Sequence, residues 1–167
     1  VARRAKEVAL HQRENPDFRS LPLPKPVHSV RAYYATTAEA KPGLRAEVVR
    51  EAVEEVNRHN FDAYGALSTN VDEFCVVNSL GVELDHRMTW SALSLIVSSD
   101  DSTGYAARCS PDLGEIRARE VAQEAIDKCL RGRKPVEAGT GKYDVLLEEY
   151  ALGEILDWLS YIGFGAV

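Results

Sequence analysis

Residues 82–98, VELDHRMTWSALSLIVS, alternate apolar and polar side chains over much of their length, which is typical of a β-strand. Shorter stretches of the same kind lie nearby, at residues 64–68, 73–78 and 105–108. Turn-forming residues separate the stretches, at residues 69–72, 78–81 and 100–104. Because connections this short join antiparallel neighbours, the sequence predicts an antiparallel meander.

The apolar residues of the long strand change parity along its length. They occupy even positions at first, namely Val82, Leu84, Met88 and Trp90, and odd positions later, namely Leu93, Leu95 and Val97. One uninterrupted strand cannot bury both sets on one face. The pattern therefore predicts either a bulge or sharp bend between Trp90 and Leu93, or a strand that passes from one-sided to two-sided burial.

Helical periodicity marks the segments around these strands. Apolar residues recur every three or four positions from Leu44 to about Asn60, and a second helix is expected from about Pro111 to Leu130. Ser110 is a favourable N-cap for that second helix. A strand at residues 143–147 and a final helix at residues 148–162 complete the pattern. The predicted fold class is α+β, an antiparallel β-sheet (meander) packed with helices on one face.

The predicted organisation has two parts. Residues 1–43 contain the end of a helix, at residues 1–12, and a Pro-rich extended connector, because four prolines fall between Pro16 and Pro26. Residues 44–167 form the α+β domain. Since the sequence starts without methionine and ends in an apolar run at Gly165, Ala166 and Val167, we expect it to be a piece of a longer protein.

Composition limits the class of protein. With 167 residues and 45% hydrophobic content the chain can bury a core of ordinary size. A net charge of −6 argues against a general nucleic-acid surface, which needs clustered basic residues. No apolar run is long enough to span a membrane and no secretory leader is visible, so we expect a soluble cytoplasmic protein.

Short motifs that could carry chemistry have simpler interpretations. Residues 139–142 look like part of a phosphate-binding loop, but Tyr143 stands where that loop needs Ser or Thr, so a turn is predicted. Residues 100–104 offer oxygen ligands without the spacing of a calcium loop, and a hairpin turn is expected. Three widely spaced cysteines fit neither a disulfide framework nor a zinc site and are interpreted as reduced, partly buried thiols: Cys75, Cys109 and Cys129.

Glu83, Asp85 and His86 lie close together in the sequence and could suggest a metal site. In a strand the first two side chains point to one face and His86 points to the other, so the three cannot converge on one ion. A solvated polar face with a half-buried histidine is the expected arrangement. The sequence thus offers no catalytic, cofactor-binding or metal-binding residue.

The order and spacing of several segments resemble the TldD/PmbA family, also called modulator of DNA gyrase proteins. The resemblance covers most of the chain: the Pro-rich connector, residues 78–83, residues 103–106, the helix with Glu120, Ala122 and Ala125, and residues 141–145. It implies the amino-terminal domain of a two-domain protein whose carboxy-terminal domain is absent here.

In the TldD branch of that family, the helix after the strand equivalent to residues 143–147 carries His-Glu-x-x-x-His, whose histidines hold zinc while the glutamate acts as general base. The same positions in this chain are Asp157, Trp158 and Ile162, and no histidine follows His86. Trp158 cannot accept a proton and Ile162 cannot bind metal. The chain therefore resembles the PmbA (TldE) branch, and zinc is expected only in a TldD-type partner.

The resemblance implies a component of a cytosolic metallopeptidase-type assembly that acts on unfolded or peptide substrates. This chain would be the non-catalytic subunit that depends on a TldD-type homologous subunit or on a second copy of itself. The alternative is a non-enzymatic binding or adaptor protein of the gyrase-modulator type. For the last helix, the spacing of Ile155, Leu156, Leu159 and Ile162 also predicts simple core packing, with the helix ending near Gly163.

Overall fold

The computed structural model describes residues 1–13 and 15–164, and these form a three-stranded antiparallel sheet in chain order. The strands are β1 (Asp62–Val77), β2 (Glu83–Ser98) and β3 (Thr103–Ser110). All sixteen residues of β1 pair with β2, from Asp62 opposite Ser98 to Val77 opposite Glu83. β3 pairs only with the second half of β2, where it ends with Ser110 opposite Ser91. The predicted meander is confirmed.

The helices lie before and after the sheet in the sequence: α1 (Ala2–Ala9), α2 (Ala35–Ala38), α3 (Pro42–Asn57), α4 (Ala118–Arg131) and α5 (Glu149–Gly163). A 3₁₀ turn, Leu113–Glu115, precedes α4. Together with the sheet they make an α+β fold, as predicted. No helix among residues 1–13 and 15–164 is long and apolar enough to cross a membrane.

The turn predicted at residues 69–72 is wrong, because β1 runs through this segment without interruption. Thr69 pairs with Ser91 and Asp72 pairs with Met88. The Asp72 carboxylate also accepts a hydrogen bond of 2.8 Å from the Trp90 indole. Cross-strand pairing over the whole length of β1 therefore outweighs the local preference of Asn and Asp for turns.

Neither a bulge nor two-sided burial accounts for the parity change in β2. The pairing with β1 stays one-to-one throughout, so there is no bulge or register shift. The buried face of β2 continues from Leu93 back through Ser91 and Thr89, which are fully buried. Their hydroxyls donate to the carbonyls of Ser110 and Pro111, each at 2.8 Å. Buried polar residues thus occupy positions that the sequence pattern had suggested were solvent-facing.

The core lies between one face of the sheet and the helices α3 and α4, which confirms helices on one face. Its buried members on the sheet are Leu93, Leu95, Val97 and Ala106. Those on the helices include Ala52, Val56, Val121, Ala122, Ala125, Ile126 and Cys129. We call the opposite side of the sheet the outer face.

The single helix predicted from Pro111 to Leu130 is divided in the structure. The Asp112 carboxylate accepts from the Gly114 amide at 2.9 Å, and the Thr37 hydroxyl accepts from the Leu113 amide at 2.8 Å. These bonds stabilise the 3₁₀ turn, and Ile116 is then extended, with φ −72° and ψ 107°. The α-helix α4 therefore starts only at Ala118. The amides that would have formed the first turn of a longer helix donate to side chains instead.

Two compact units divide the chain, Val1–Pro135 and Val136–Val167. Within the second unit the strand predicted at residues 143–147 is wrong, since no strand of the described chain pairs there and Leu146 is 99% exposed. The last helix is present as α5, close to its predicted bounds. The core packing predicted for this helix is wrong, because its apolar residues are all exposed: Ile155, Leu156, Leu159 and Ile162. Gly165, Ala166 and Val167 lie outside the described residues.

Gly104 permits the direct contact between β3 and α4. A Cβ at this position would meet the Ala125 carbonyl oxygen and the Cys129 amide nitrogen, both of which belong to the backbone of α4. We expect Gly104→Ala to lower the free energy of unfolding by about 1–3 kcal/mol, because the helix must move away from the strand.

Urea unfolding measures this loss of stability. Gly43→Ala is the matched control, since a Cβ at Gly43 has nothing within 4 Å. If Gly104→Ala were as stable as the Gly43→Ala protein, the close approach of β3 and α4 would be contradicted.

Candidate functional site

Beyond the end of β3, the sheet continues as a two-stranded ribbon. We define the ribbon as residues 71–77 of β1 and residues 83–89 of β2. Most of its side chains are exposed on both faces, including Phe74, Val76 and Leu84. An isolated two-stranded hairpin is only marginally stable, so other contacts must support the ribbon.

The support comes from the extended segment before α2. We define the connector as residues 21–34, and it contains no helix or strand. At the tip of the ribbon the Asn78 side-chain amide donates to the Pro22 carbonyl at 2.8 Å. At the base, the Thr89 amide donates to the Ala32 carbonyl at 2.9 Å. The connector therefore runs along the edge of β2 that β3 leaves open.

Thr89 is the stronger of these two anchors. Its side-chain oxygen accepts from the Tyr34 amide at 3.1 Å and donates to the Pro111 carbonyl at 2.8 Å. The Thr37 hydroxyl donates to the same carbonyl at 2.8 Å. Nearby, the Arg87 guanidinium lies 4.3 Å from the centre of the Tyr33 ring, a cation–π contact. Buried hydrogen bonds thus fix the end of the connector at the point where β3 ends.

Asp112 adds a charged contact at the same place. Its carboxylate accepts hydrogen bonds from the Thr36 hydroxyl and from the Gly114 amide. These two bonds, with a smaller attraction to Arg31, hold the pKa of Asp112 below its ordinary value of 3.8. Asp112 is consequently ionised throughout the neutral range, and α2 is tied to the turn before α4.

The open edge of β2 carries main-chain groups that face the connector. Because the Thr89 amide points away from β1, the alternation of a strand directs the amides and carbonyls of Glu83, Asp85 and Arg87 the same way. Among the residues that the structure describes, no hydrogen bond joins these three main-chain positions to the connector. The connector therefore leaves the main-chain hydrogen-bonding groups of this edge unpaired.

Two adjoining clefts lie between the connector and the ribbon, and together we call them the groove. The first has a volume of about 280 Å³ and the second about 390 Å³, and both are lined by Val27 and Leu84. Apolar residues line the first cleft on both sides, namely Pro22, Leu23, Pro24, Val76 and Val82. Polar residues line the second, namely His28, Ser29, Asp85 and His86.

The residues singled out in the sequence fall near this groove but do not form a metal site. Glu83, Asp85 and His86 are all exposed on the ribbon, and the pairing places Asp85 opposite Cys75 and His86 opposite Phe74, hence on opposite faces. In the described part of the chain there is no group of three or more His, Cys, Asp or Glu side chains that could hold a metal ion.

The remaining motifs lie elsewhere. A hairpin turn joins β2 to β3 as predicted, but it spans residues 99–102 rather than 100–104, because Thr103 and Gly104 belong to β3. The Ser99 amide donates to the Ser102 carbonyl at 2.9 Å. Cys129 is buried, whereas Cys75 and Cys109 are exposed free thiols. Asp157, Trp158 and Ile162, which the family resemblance aligned with the zinc motif, are exposed on α5.

The groove itself could not be predicted from the proline pattern alone. The connector was interpreted only as an extended link.

Comparison with known proteins identifies the fold. No protein-family model matches the sequence, and no curated protein matches it. A solved structure of a proposed modulator of a DNA gyrase from Thermotoga maritima superimposes with a TM-score of 0.68 and 14% identity. A proposed modulator of DNA gyrase from Bacteroides thetaiotaomicron gives 0.67 and 17%.

The chain has the fold of part of these two proteins. Each comparison covers 82% of this chain and 34% of the other, so the chain spans about a third of the length of the structures it resembles.

Replacement of Thr89 by valine tests the main anchor of the connector. Thr89→Val keeps the shape but removes the acceptor for the Tyr34 amide and the donor to Pro111. We expect a loss of about 1–3 kcal/mol in the free energy of unfolding, since buried polar groups lose their partner. Amide hydrogen exchange should also become faster at Tyr34.

Thr103→Val serves as the control because Thr103 is exposed at the start of β3. Unchanged exchange at Tyr34 in Thr89→Val would contradict the role of Thr89 as the anchor.

Proposed function

We propose that this chain is a peptide-binding, non-catalytic component of a cytosolic metallopeptidase-type assembly that acts on unfolded polypeptides. Hydrolysis would take place on a TldD-type homologous subunit, which would also supply the zinc. The observation that carries this proposal is the open edge of β2 in the groove, with the main-chain groups of Glu83, Asp85 and Arg87 directed toward the connector.

An open strand edge suits an unfolded polypeptide in particular. Extended peptides commonly bind by adding a strand to a sheet edge, where main-chain hydrogen bonds give affinity that depends little on sequence. The groove adds apolar walls at Val27, Val76 and Leu84, which can accept alternate side chains of the bound segment. Most backbone groups of a folded protein are already paired, so the groove favours unfolded substrates.

The absence of a catalytic role is supported by the chemistry of α5. Asp157, Trp158 and Ile162 stand where the TldD motif has its two histidines and its glutamate. An indole cannot act as general base and an aliphatic side chain cannot bind zinc. The described residues offer no alternative cluster of metal ligands. On this proposal, the groups for amide hydrolysis come from another polypeptide or from a further domain.

A charge placed in the groove tests peptide binding. Leu84→Glu puts a carboxylate between the two clefts. An apolar side chain of a bound peptide would bury this charge, which is unfavourable. We expect the affinity for a fluorescent unstructured peptide to fall by about tenfold or more, measured by fluorescence anisotropy. The same peptide with alternate amides N-methylated should bind poorly to the unaltered protein, because it cannot pair with the strand edge.

Leu130→Glu is the control for the added charge. Leu130 is 43% exposed on α4, close to the 38% of Leu84, but lies away from the groove. Equal affinity of the Leu84→Glu and Leu130→Glu proteins would place peptide binding somewhere other than the groove.

The peptidase assignment has a separate test. Metal content and peptide hydrolysis are measured for the full-length protein alone and after mixing with a TldD-type paralogue from the same source. We expect hydrolysis and zinc only in the mixture. Hydrolysis by the isolated protein would contradict the non-catalytic role, and loss of activity in a mixture with Leu84→Glu would link the groove to the reaction.

The alternative function is a non-enzymatic adaptor that binds a topoisomerase. It is favoured by one finding, that both structural neighbours are proposed modulators of DNA gyrase. With a net charge of −6 the contact would be with the protein rather than with DNA. Direct binding to purified gyrase, together with no hydrolysis in any mixture, would favour this alternative.

A further inference from the structure

We propose that the free edge of β1, together with the adjoining side of α3, binds an extended segment of a partner protein that carries an aliphatic side chain and a carboxylate. This site is separate from the groove, which lies beside β2 on the opposite edge of the sheet. The inference does not rest on peptide binding in the groove, so the two proposals can fail independently.

Half of the main-chain groups of β1 point away from the sheet. The Thr89 amide is directed away from β1, and Val71 lies directly opposite Thr89. Opposite residues of an antiparallel pair point either toward each other or away from each other, so the main chain of Val71 also faces outward. Because the register is one-to-one, every second residue back to the start of β1 faces the same way. Among the described residues, no main-chain hydrogen bond reaches these outward positions: Ala63, Gly65, Leu67 and Thr69.

The sequence of this edge does not oppose pairing with another strand. Natural edge strands are commonly protected by charged side chains, especially lysine, or by proline. Residues 63–71, AYGALSTNV, contain no charged residue and no proline. The edge is therefore suited to accept a further strand between Asp62 and Asp72.

A cleft of about 120 Å³ lies between α3 and this edge. On the strand it is lined by the small residues Ala63 and Gly65, and on the helix by Val49 and Val53. Val49 is 37% exposed. Since apolar cavities of about 150 Å³ hold a molecule of benzene, the cleft has room for one aliphatic side chain. A strand added to β1 would turn every second side chain toward α3 and the cleft.

Arg45 gives the site a preference for negative charge. The guanidinium donates through Nη1 to the Thr69 hydroxyl at 3.0 Å and to the Ala40 carbonyl at 3.3 Å. A guanidinium has five donors, so others are left for a further acceptor. In the part of the chain that the structure describes, no carboxylate forms an ion pair with Arg45. Hydrogen bonds to a carboxylate are about twice as strong as neutral ones, which favours an acidic residue beside Arg45.

The geometry of a strand sets the spacing of the two groups. On an added strand, the residues opposite Gly65 and Thr69 lie on one face and are four positions apart, a distance of ~13 Å. The bound segment therefore carries its aliphatic and acidic residues four positions apart, in an order that depends on strand direction. This requirement fits a defined segment of a partner protein, whereas main-chain pairing in the groove depends little on sequence.

Two fluorescent peptides, each a short chain of threonine and serine, test binding at this edge. One has leucine followed four positions later by glutamate, and the other has these two residues exchanged. Fluorescence anisotropy up to about 1 mM protein measures the affinity. We expect one of the two to bind and to slow amide exchange at Gly65 and Leu67. Exchange at Ala66 and Ser68 should stay unchanged, because these amides already pair with β2.

Three variants test the two contacts. Val49→Glu places a carboxylate in the cleft and should weaken binding by about tenfold or more. Leu44→Glu is the matched control, since Leu44 is 45% exposed on the same helix but does not line the cleft. The unaltered protein should prefer the glutamate peptide to its glutamine analogue by about threefold to fivefold, and Arg45→Gln should abolish that preference. Circular dichroism establishes that each variant is folded.

The outcomes separate this site from the groove. Absence of binding by both peptides, equal affinity of the two glutamate variants, or an unchanged preference in Arg45→Gln would overturn the proposal. Slower exchange at Asp85 and Arg87 in place of Gly65 would assign the peptide to the groove, which supports peptide binding there and contradicts this site. Protection of Gly65 by raised protein concentration alone would show that a second copy, and not a partner segment, covers the edge.

Discussion

The hydrogen bonds of Thr89 hold together the three segments on which the rest of this structure depends. At this residue the segment beside one edge of β2 changes. β3 ends opposite Ser91, and from Thr89 onward the connector lies there instead, attached through the Ala32 carbonyl. The same side chain reaches the Pro111 carbonyl, which also binds Thr37. One buried hydroxyl thus joins the strand, the connector and the turn before α4.

This junction explains why the sheet has two different halves. On the β3 side, β2 is paired on both edges and covered by α3 and α4, so its buried residues are apolar. On the ribbon side, β2 keeps one paired edge, and the connector lies beside the other without pairing to Glu83, Asp85 or Arg87. Stability therefore resides in one half of the sheet, while the open hydrogen-bonding groups of β2 and the groove occur in the other. Binding sites are commonly supported in this way by a rigid neighbouring scaffold.

The sequence was sufficient to predict the meander, the long helices and the placement of helices on one face, because these depend on periodic apolar residues. It failed where polar residues are buried or where turn-forming residues pair across strands. Thr89 and Ser91 look solvent-facing in the sequence, yet their hydroxyls find carbonyl partners that come from distant segments. Asn70 and Asp72 favour a turn locally, but pairing along β1 overrides that preference.

The groove could not be predicted because it depends on the path of the connector. Local sequence shows that residues 21–34 are extended, but not which edge they follow. That path is fixed by Asn78 and Thr89, each of which lies more than fifty positions away in the sequence. Likewise, the apolar spacing of α5 predicted burial, whereas Ile155 and Leu159 are exposed on a helix of the second unit. Periodicity identifies an apolar face but not the surface that covers it.

Amide hydrogen exchange with a bound unfolded peptide tests the central claim most directly. The amides of Leu84 and His86 already pair with β1 and provide an internal reference, whereas those of Asp85 and Arg87 face the groove. We predict that saturating peptide slows exchange at Asp85 and Arg87 and leaves Leu84 and His86 unchanged. Unaltered exchange at Asp85 and Arg87 in the bound state would contradict peptide binding at the open edge of β2.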